Sequence, residues 1–265
     1  MAPALPQAAD TRFGSALPPR LLPVVMFRLR PGVMYRLRSL ASFRLRPVVA
    51  FRLRAVCTAP AGLSMGAAPL DLENLRRRLD AGLSRRPRMA LDRSDLVSAA
   101  VLVPVTDRDG PHVLFTKKTA GVPHHKSQFS FPGGIVEQRD GSRVETALRE
   151  AWEEIRLPAE AVEVLGLLDD TETRATNFII TPVVGIIRDH VDFAPDGREI
   201  ERVLEVPLAT LRDPAIFRTE IWERNGEPHP VQFYQVSRDD VVWGATARIL
   251  SQFLDLLDEP EAPAR

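Results

Sequence analysis

Cysteine is almost absent: Cys57 is the only one in 265 residues. It has no internal partner for a disulfide, so a reducing, cytoplasmic setting is expected. Lysine is nearly absent too. Lys117, Lys118 and Lys126 are the only lysines among 35 basic residues, and all three fall within ten positions. No apolar run approaches the roughly 20 residues needed to span a membrane. No stretch has the basic, apolar and small-residue order of a secretory signal. Acids are missing from the first 64 residues apart from Asp10, against ten arginines there. That segment therefore carries +9, and residues 65–265 carry −9 under a formal net charge of zero. An anionic partner suits only the first segment, and a cation site suits the second.

The basic segment repeats with a period of eight: Phe-Arg-Leu-Arg at 27–30, 43–46 and 51–54, and Tyr-Arg-Leu-Arg at 35–38. Solenoid and propeller repeats need longer units, of about 20–50 residues. Three readings stay open. They are a basic arm for nucleic acid or anionic lipid, an organellar transit segment, and a disordered extension ahead of a start at Met65. The expected division is an Arg-rich extension over 1–64 and a catalytic domain over 65–265.

Beyond it, Leu72, Leu75, Leu79 and Leu83 have helical spacing, which predicts a helix over 69–83. Apolar runs at 96–106 and 177–188 read as buried strands, and 112–119 as the strand returning from an Asp-Arg-Asp-Gly turn. Residues 162–173 and 228–236 read as further strands, 199–211 as a strand with a short helix, and 243–257 as a helix. Ala247, Leu250, Phe253, Leu254 and Leu257 form the inward face of that last helix. Hairpin-paired strands with helices between them predict α/β layers around a mixed sheet rather than a doubly wound parallel one.

The segment 143–155, Arg-Val-Glu-Thr-Ala-Leu-Arg-Glu-Ala-Trp-Glu-Glu-Ile, carries the chemistry. As a helix it docks through Leu148, Ala151, Trp152 and Ile155 and gathers Glu150, Glu153 and Glu154 elsewhere. Arg149 stands four residues before Glu153 and can hold its carboxylate. Like charges at this spacing repel, and a hard divalent cation with oxygen ligands would offset the repulsion. Upstream, Phe-Pro-Gly-Gly at 131–134 reads as a tight glycine loop that lets backbone approach a metal or phosphate.

Glycine loop, connector and Arg-Glu-x-x-Glu-Glu together resemble the box of the Nudix hydrolases, G-x5-E-x7-R-E-U-x-E-E-x-G-U with U aliphatic. The resemblance implies an α/β/α sandwich with a mixed sheet, Mg²⁺ or Mn²⁺ as cofactor, and hydrolysis of a nucleoside diphosphate linked to another group. It makes Glu150, Glu153 and Glu154 the metal ligands, with a carbonyl of Gly133 or Gly134 as a further one, and Arg149 the residue that orients the carboxylates. Three positions depart from the box. Gly141 stands where its first Glu would be, with Glu137, Asp140 or Glu145 as stand-ins. The loop is one residue longer. Arg156 replaces the glycine after the Glu pair, which removes the usual left-handed helix stop and leaves Pro158 to end the helix.

Residues 114–134 are similar to the segment L-L-T-x-[TS]-[SA]-x3-R-x3-G-x3-F-P-G-G of coenzyme A pyrophosphatases. Leu114, Thr116 and Phe131 to Gly134 match; Phe115, Lys118 and Thr119 are substitutions; Pro123 replaces the arginine and Ser127 the glycine. Asn-Phe-Ile-Ile-Thr-Pro-Val-Val-Gly at 177–185, residues 198–211 and residues 243–250 resemble the same subfamily, and place Glu199 at its Glu. That resemblance implies coenzyme A or a derivative as the nucleotide-containing substrate. Lys117, Lys118, His124, His125 and Lys126 are then candidates for its 3′-phosphate. Other Nudix substrates, such as ADP-ribose, a dinucleotide or a nucleoside triphosphate, form the alternative, and a non-catalytic regulatory module is the third reading. The retained acids argue against that module, and no DNA-reading helix is recognisable. No zinc-ligand spacing surrounds the histidine pair, and nothing in the sequence specifies an oligomeric state.

Overall fold

From Val97 to Asp107 apolar side chains occupy both alternating faces, the pattern of a strand covered on both sides. The computed structural model describes residues 71–120, 128–173, 176–188, 190–224 and 226–258, and makes this strand the centre of the main sheet. The expected division at residues 64 and 65 lies outside the described residues. In chain order the elements are α1 (Leu72–Arg85), β1 (Val97–Asp107), β2 (Pro111–Lys118), β3 (Phe129–Ser130), β4 (Gly133–Ile135) and α2 (Arg143–Ile155). There follow β5 (Val162–Leu167), β6 (Thr171–Thr173), β7 (Phe178–Ile187), β8 (Ile200–Pro207), α3 (Leu208–Leu211), β9 (Phe217–Arg224), β10 (Glu227–Gln235), β11 (Val241–Trp243) and α4 (Gly244–Asp258).

The main sheet runs β3-β2-β1-β7-β5, with β4 also on β1, β6 on β7 and β8 on β2. Only β1 and β7 are parallel, in register from Val97 with Phe178 to Val105 with Ile186; the other pairings are antiparallel. The sheet is therefore mixed, as the hairpin-rich sequence order predicts. The two faces of β1 feed two cores. Ala100 and Leu102 join Ala147, Ala151 and Ile155 of α2. Val103 and Val105 join Leu75 and Leu79 of α1 and Leu250, Phe253 and Leu257 of α4. The five residues expected on the inward face of α4 are all buried. A second sheet, β11-β10-β9, leans on α4, where the Tyr234 and Ser251 hydroxyls lie 2.8 Å apart.

Three sequence expectations need correction, and one strand, β9, was not foreseen. The Phe-Pro-Gly-Gly segment is not a free loop: Gly133–Ile135 pairs antiparallel with β1, Val101 opposite Gly133 and Ala100 opposite Gly134. The expected strand at 162–173 breaks into β5 and β6 around Asp169 and Asp170, which bind Arg86 and Arg88. Strand β9 carries too many charges for apolar alternation to reveal it. On α2 the buried stripe is Ala147, Ala151, Glu154 and Ile155, while Trp152 is 48% exposed.

Candidate active site

Helix α2 starts where the sequence dictates. The Ser142 side chain accepts from the Glu145 N–H at 3.1 Å, and the Glu145 carboxylate accepts from the Gly141 N–H at 2.8 Å, close to a capping box. Its end corrects the expectation about Arg156. That residue adopts the left-handed conformation itself, φ 59° and ψ 33°, and its N–H reaches the Ala151 and Trp152 carbonyls. The helix stop survives without glycine, at a cost of about 1–2 kcal/mol for a residue with a Cβ.

The three candidate acids of the helix, Glu150, Glu153 and Glu154, do not share one environment. Glu154 is 5% exposed and faces inward beside Ile155, Glu150 is largely buried, and Glu153 stands 46% exposed. Burial lifts the Glu154 carboxyl to about 8 against the opposing charge of Lys118, whose Nζ lies 3.5 Å from Oε1. Glu154 Oε2 is buried with no hydrogen-bond partner. Burial also raises Glu150, with the Arg149 guanidinium pulling the other way from 2.9 Å. Glu153 pairs outward with Arg139 at 3.1 Å and with Arg149 at 3.4 Å.

Arg149 is fixed mainly by a residue the box does not specify. Its Nε and one terminal nitrogen donate to the two Asp140 oxygens at 3.0 and 3.1 Å, and the latter nitrogen also reaches the Ile135 carbonyl at 3.0 Å. Asp140 further accepts from the Glu137 N–H and the Thr146 hydroxyl, each at 2.9 Å, so its carboxyl is held well below the usual range, chiefly by Arg149. Among the three stand-ins for the missing box Glu, Asp140 takes the buried contact with Arg149. Glu137 lies 3.6 Å from Arg149, and Glu145 serves the cap.

The two glycines have different reasons to be glycine. A Cβ on Gly133 would lie 2.6 Å from the Val101 Cα, so strand β4 would have to leave β1. A Cβ on Gly134 would lie 2.5 Å from the Glu150 Cδ, so this glycine leaves room for a carboxylate. Leu102 N–H bonds to the Pro132 carbonyl and Val136 N–H to the Ser98 carbonyl. Antiparallel alternation then commits the Gly134 carbonyl to the β1 ladder and turns both Gly133 backbone groups away from it. The Gly133 backbone opposes the rise of the Glu154 carboxyl.

Among the described residues no three His, Cys, Asp or Glu side chains already converge as a metal-holding group. The chemistry of the donors nevertheless fits a hard divalent cation. There is an orphaned buried oxygen on Glu154, a carboxylate of Glu150 in a cradle that a Cβ would fill, and a backbone strand beside both.

The candidates for the 3′-phosphate do not stay together. Lys117 pairs with Glu201 at 3.1 Å, and neighbouring strand positions point to opposite sheet faces, so it parts from Lys118. Lys118 sits between Glu154 and Glu199, the latter at 3.8 Å. His124, His125 and Lys126 lie outside the described residues, as do Pro123 and Ser127. Leu114, Thr116 and Phe131, which match the coenzyme A segment, are core residues.

Comparison with known proteins gives the family. The NUDIX domain model matches residues 96–227. An uncharacterized Nudix hydrolase, NudL, of Cronobacter sakazakii is 39% identical over 187 residues, spanning 68% of this chain and 95% of that protein. Its namesake in an Enterobacter species is 37% identical over 180 residues, spanning 66% and 92%. Among solved structures, a MutT/nudix family protein from Enterococcus faecalis is 16% identical with a TM-score of 0.45, covering 65% of this chain and 66% of that one. The family assignment rests on the sequence relatives: this chain belongs to the Nudix family and is a Nudix hydrolase.

Proposed function

We propose that the protein hydrolyses the pyrophosphate bond of coenzyme A or its derivatives, giving 3′,5′-ADP and 4′-phosphopantetheine. The observation that carries the pyrophosphatase chemistry is the inward pair Glu150 and Glu154, packed against β4 with one Glu154 oxygen uncommitted. Glu150, Glu153 and Glu154, with the carbonyl of Gly133, would hold Mg²⁺ or Mn²⁺. Bound there, the cation neutralises the diphosphate and lowers the pKa of a water. The chain's own groups do the rest. Arg149 fixes Glu150 from 2.9 Å and is itself fixed by Asp140. Lys118 supplies a positive charge beside Glu154.

The coenzyme A choice is supported by the resemblance of residues 114–134. A comparison of kcat/KM for coenzyme A, dephospho-coenzyme A, ADP-ribose and NADH under one metal condition, with products identified by mass, tests it. Coenzyme A is expected to lead. Coenzyme A equal to or below ADP-ribose would remove the substrate and leave the Nudix reaction standing.

A further inference from the structure

Beside the acids of α2 lies a cleft of about 360 Å³ lined by Glu153, Arg156, Asp196 and Arg198. It adjoins the reaction centre through backbone: the Glu154 carbonyl accepts from the Asp196 N–H at 3.0 Å, and the Arg198 carbonyl accepts from the Thr119 hydroxyl at 2.8 Å. Thr119 directly follows Lys118, the cation that faces Glu154.

The four lining charges cancel formally, but they are not equally committed. Asp196 accepts from the N–H groups of Arg198, Glu199 and Ile200 at 3.2, 3.1 and 2.8 Å. Glu153 is taken by Arg139 and Arg149. The Arg198 side chain has no hydrogen bond or ion pair among the described residues. Arg156 rests on the Trp152 ring, 5.4 Å from its centroid, with one long contact of 3.5 Å to the Trp152 carbonyl. Arg198 is therefore uncommitted, and Arg156 is held only by its own helix, through the Trp152 ring and one long contact.

Arg156 also occupies a left-handed backbone position where glycine would be unstrained. A residue held in such a conformation at an active-site edge points to a use for its side chain. A phosphate monoester offers the charge and the oxygen geometry that two guanidinium forks bind. We propose that Arg156 and Arg198 form a subsite for a phosphomonoester on the nucleotide half of the substrate. In the coenzyme A reading, on which this inference rests, that group is the 3′-phosphate. The assignment moves the subsite from the lysine and histidine segment to the far end of α2.

Calorimetric binding of AMP, 3′,5′-ADP and 2′,5′-ADP to the full chain tests the subsite without reference to turnover. The variants are Arg156→Asn, which tolerates the left-handed backbone, and Arg198→Gln. Wild type is expected to bind 3′,5′-ADP about ten- to hundredfold more tightly than AMP, and each variant to lower that ratio about tenfold. Equal binding of AMP and 3′,5′-ADP by wild type overturns the subsite. So does an unchanged ratio in both variants, the result expected if the arginines only balance the negative end of α2. A lowered ratio with 2′,5′-ADP preferred supports the subsite and overturns the coenzyme A reading. Coenzyme A hydrolysis with unchanged ratios leaves that reading intact and removes this inference alone.

Discussion

Gly134 sits so close beneath Glu150 that a Cβ there would lie 2.5 Å from the carboxylate carbon, whereas on Gly133 it would meet the backbone of Val101. The two substitutions should separate fold from chemistry. Gly133→Ala is expected to cost about 2–4 kcal/mol of stability, because strand backbone cannot yield cheaply. Gly134→Ala displaces only the end of a side chain, so it should cost under about 1 kcal/mol but lower kcat about 10–100-fold. Chemical denaturation alongside steady-state kinetics checks both. Equal effects on stability would remove the distinction.

Asp140 and Arg149 tie the β4–α2 connection to the helix. Removing the acid as Asp140→Ala leaves a largely buried guanidinium without its main partner and should cost about 2–4 kcal/mol. The Asp140 carboxyl is depressed in the folded state, so its contribution is present above the ordinary Asp value near 4 and is lost as pH falls below it. Denaturation from pH 7 down to pH 2.5 should show wild type losing its advantage over Asp140→Ala in that acid range.

Glu154 has the opposite sign. Its folded-state carboxyl is raised to about 8 from an ordinary 4.5, so metal-free protein is favoured below pH 4.5 and loses stability as pH climbs toward 8. Glu154→Gln carries no such penalty. At about 1.4 kcal/mol per unit of pKa, the variant should gain a few kcal/mol over wild type between pH 5 and pH 9 in chelator. A pH-independent difference would contradict the buried, unpaired state of Oε2.

Arg156→Gly should stabilise the fold by about 0.5–1 kcal/mol. It relieves the left-handed Cβ and forfeits only the exposed contact with Trp152. Thermal denaturation gives the sign directly, and a loss of stability would mean that the Trp152 contact outweighs the backbone strain.

The bounds of α2 were legible from a 3.6-residue apolar period over one short stretch, and the Ser142 cap that fixes its start was found only in the structure. Its orientation was less so. Trp152 and Glu154 exchange the places that hydropathy assigns them: the carboxylate packs inward beside Ile155 and the aromatic stands at the surface. Asp140 was visible only as one of three stand-ins. Its partnership with Arg149 depends on a turn, closed by the Glu137 N–H, that no periodicity reports. The pairing of β4 with β1 was hidden because two glycines carry no strand signal, although the approach of backbone to Val101 requires Gly133. The Arg156 and Arg198 cleft joins residues 42 positions apart and needed the fold to bring them together.

The most direct measurement is the turnover of coenzyme A by Glu154→Gln against wild type with saturating Mg²⁺, at a pH where both are folded. The account predicts a fall in kcat of about 10³-fold or more, roughly 4 kcal/mol of transition-state stabilisation, with products unchanged. Near-normal turnover in a folded Glu154→Gln protein would contradict it, and would make the inward carboxylate of α2 a structural residue rather than the centre of the reaction.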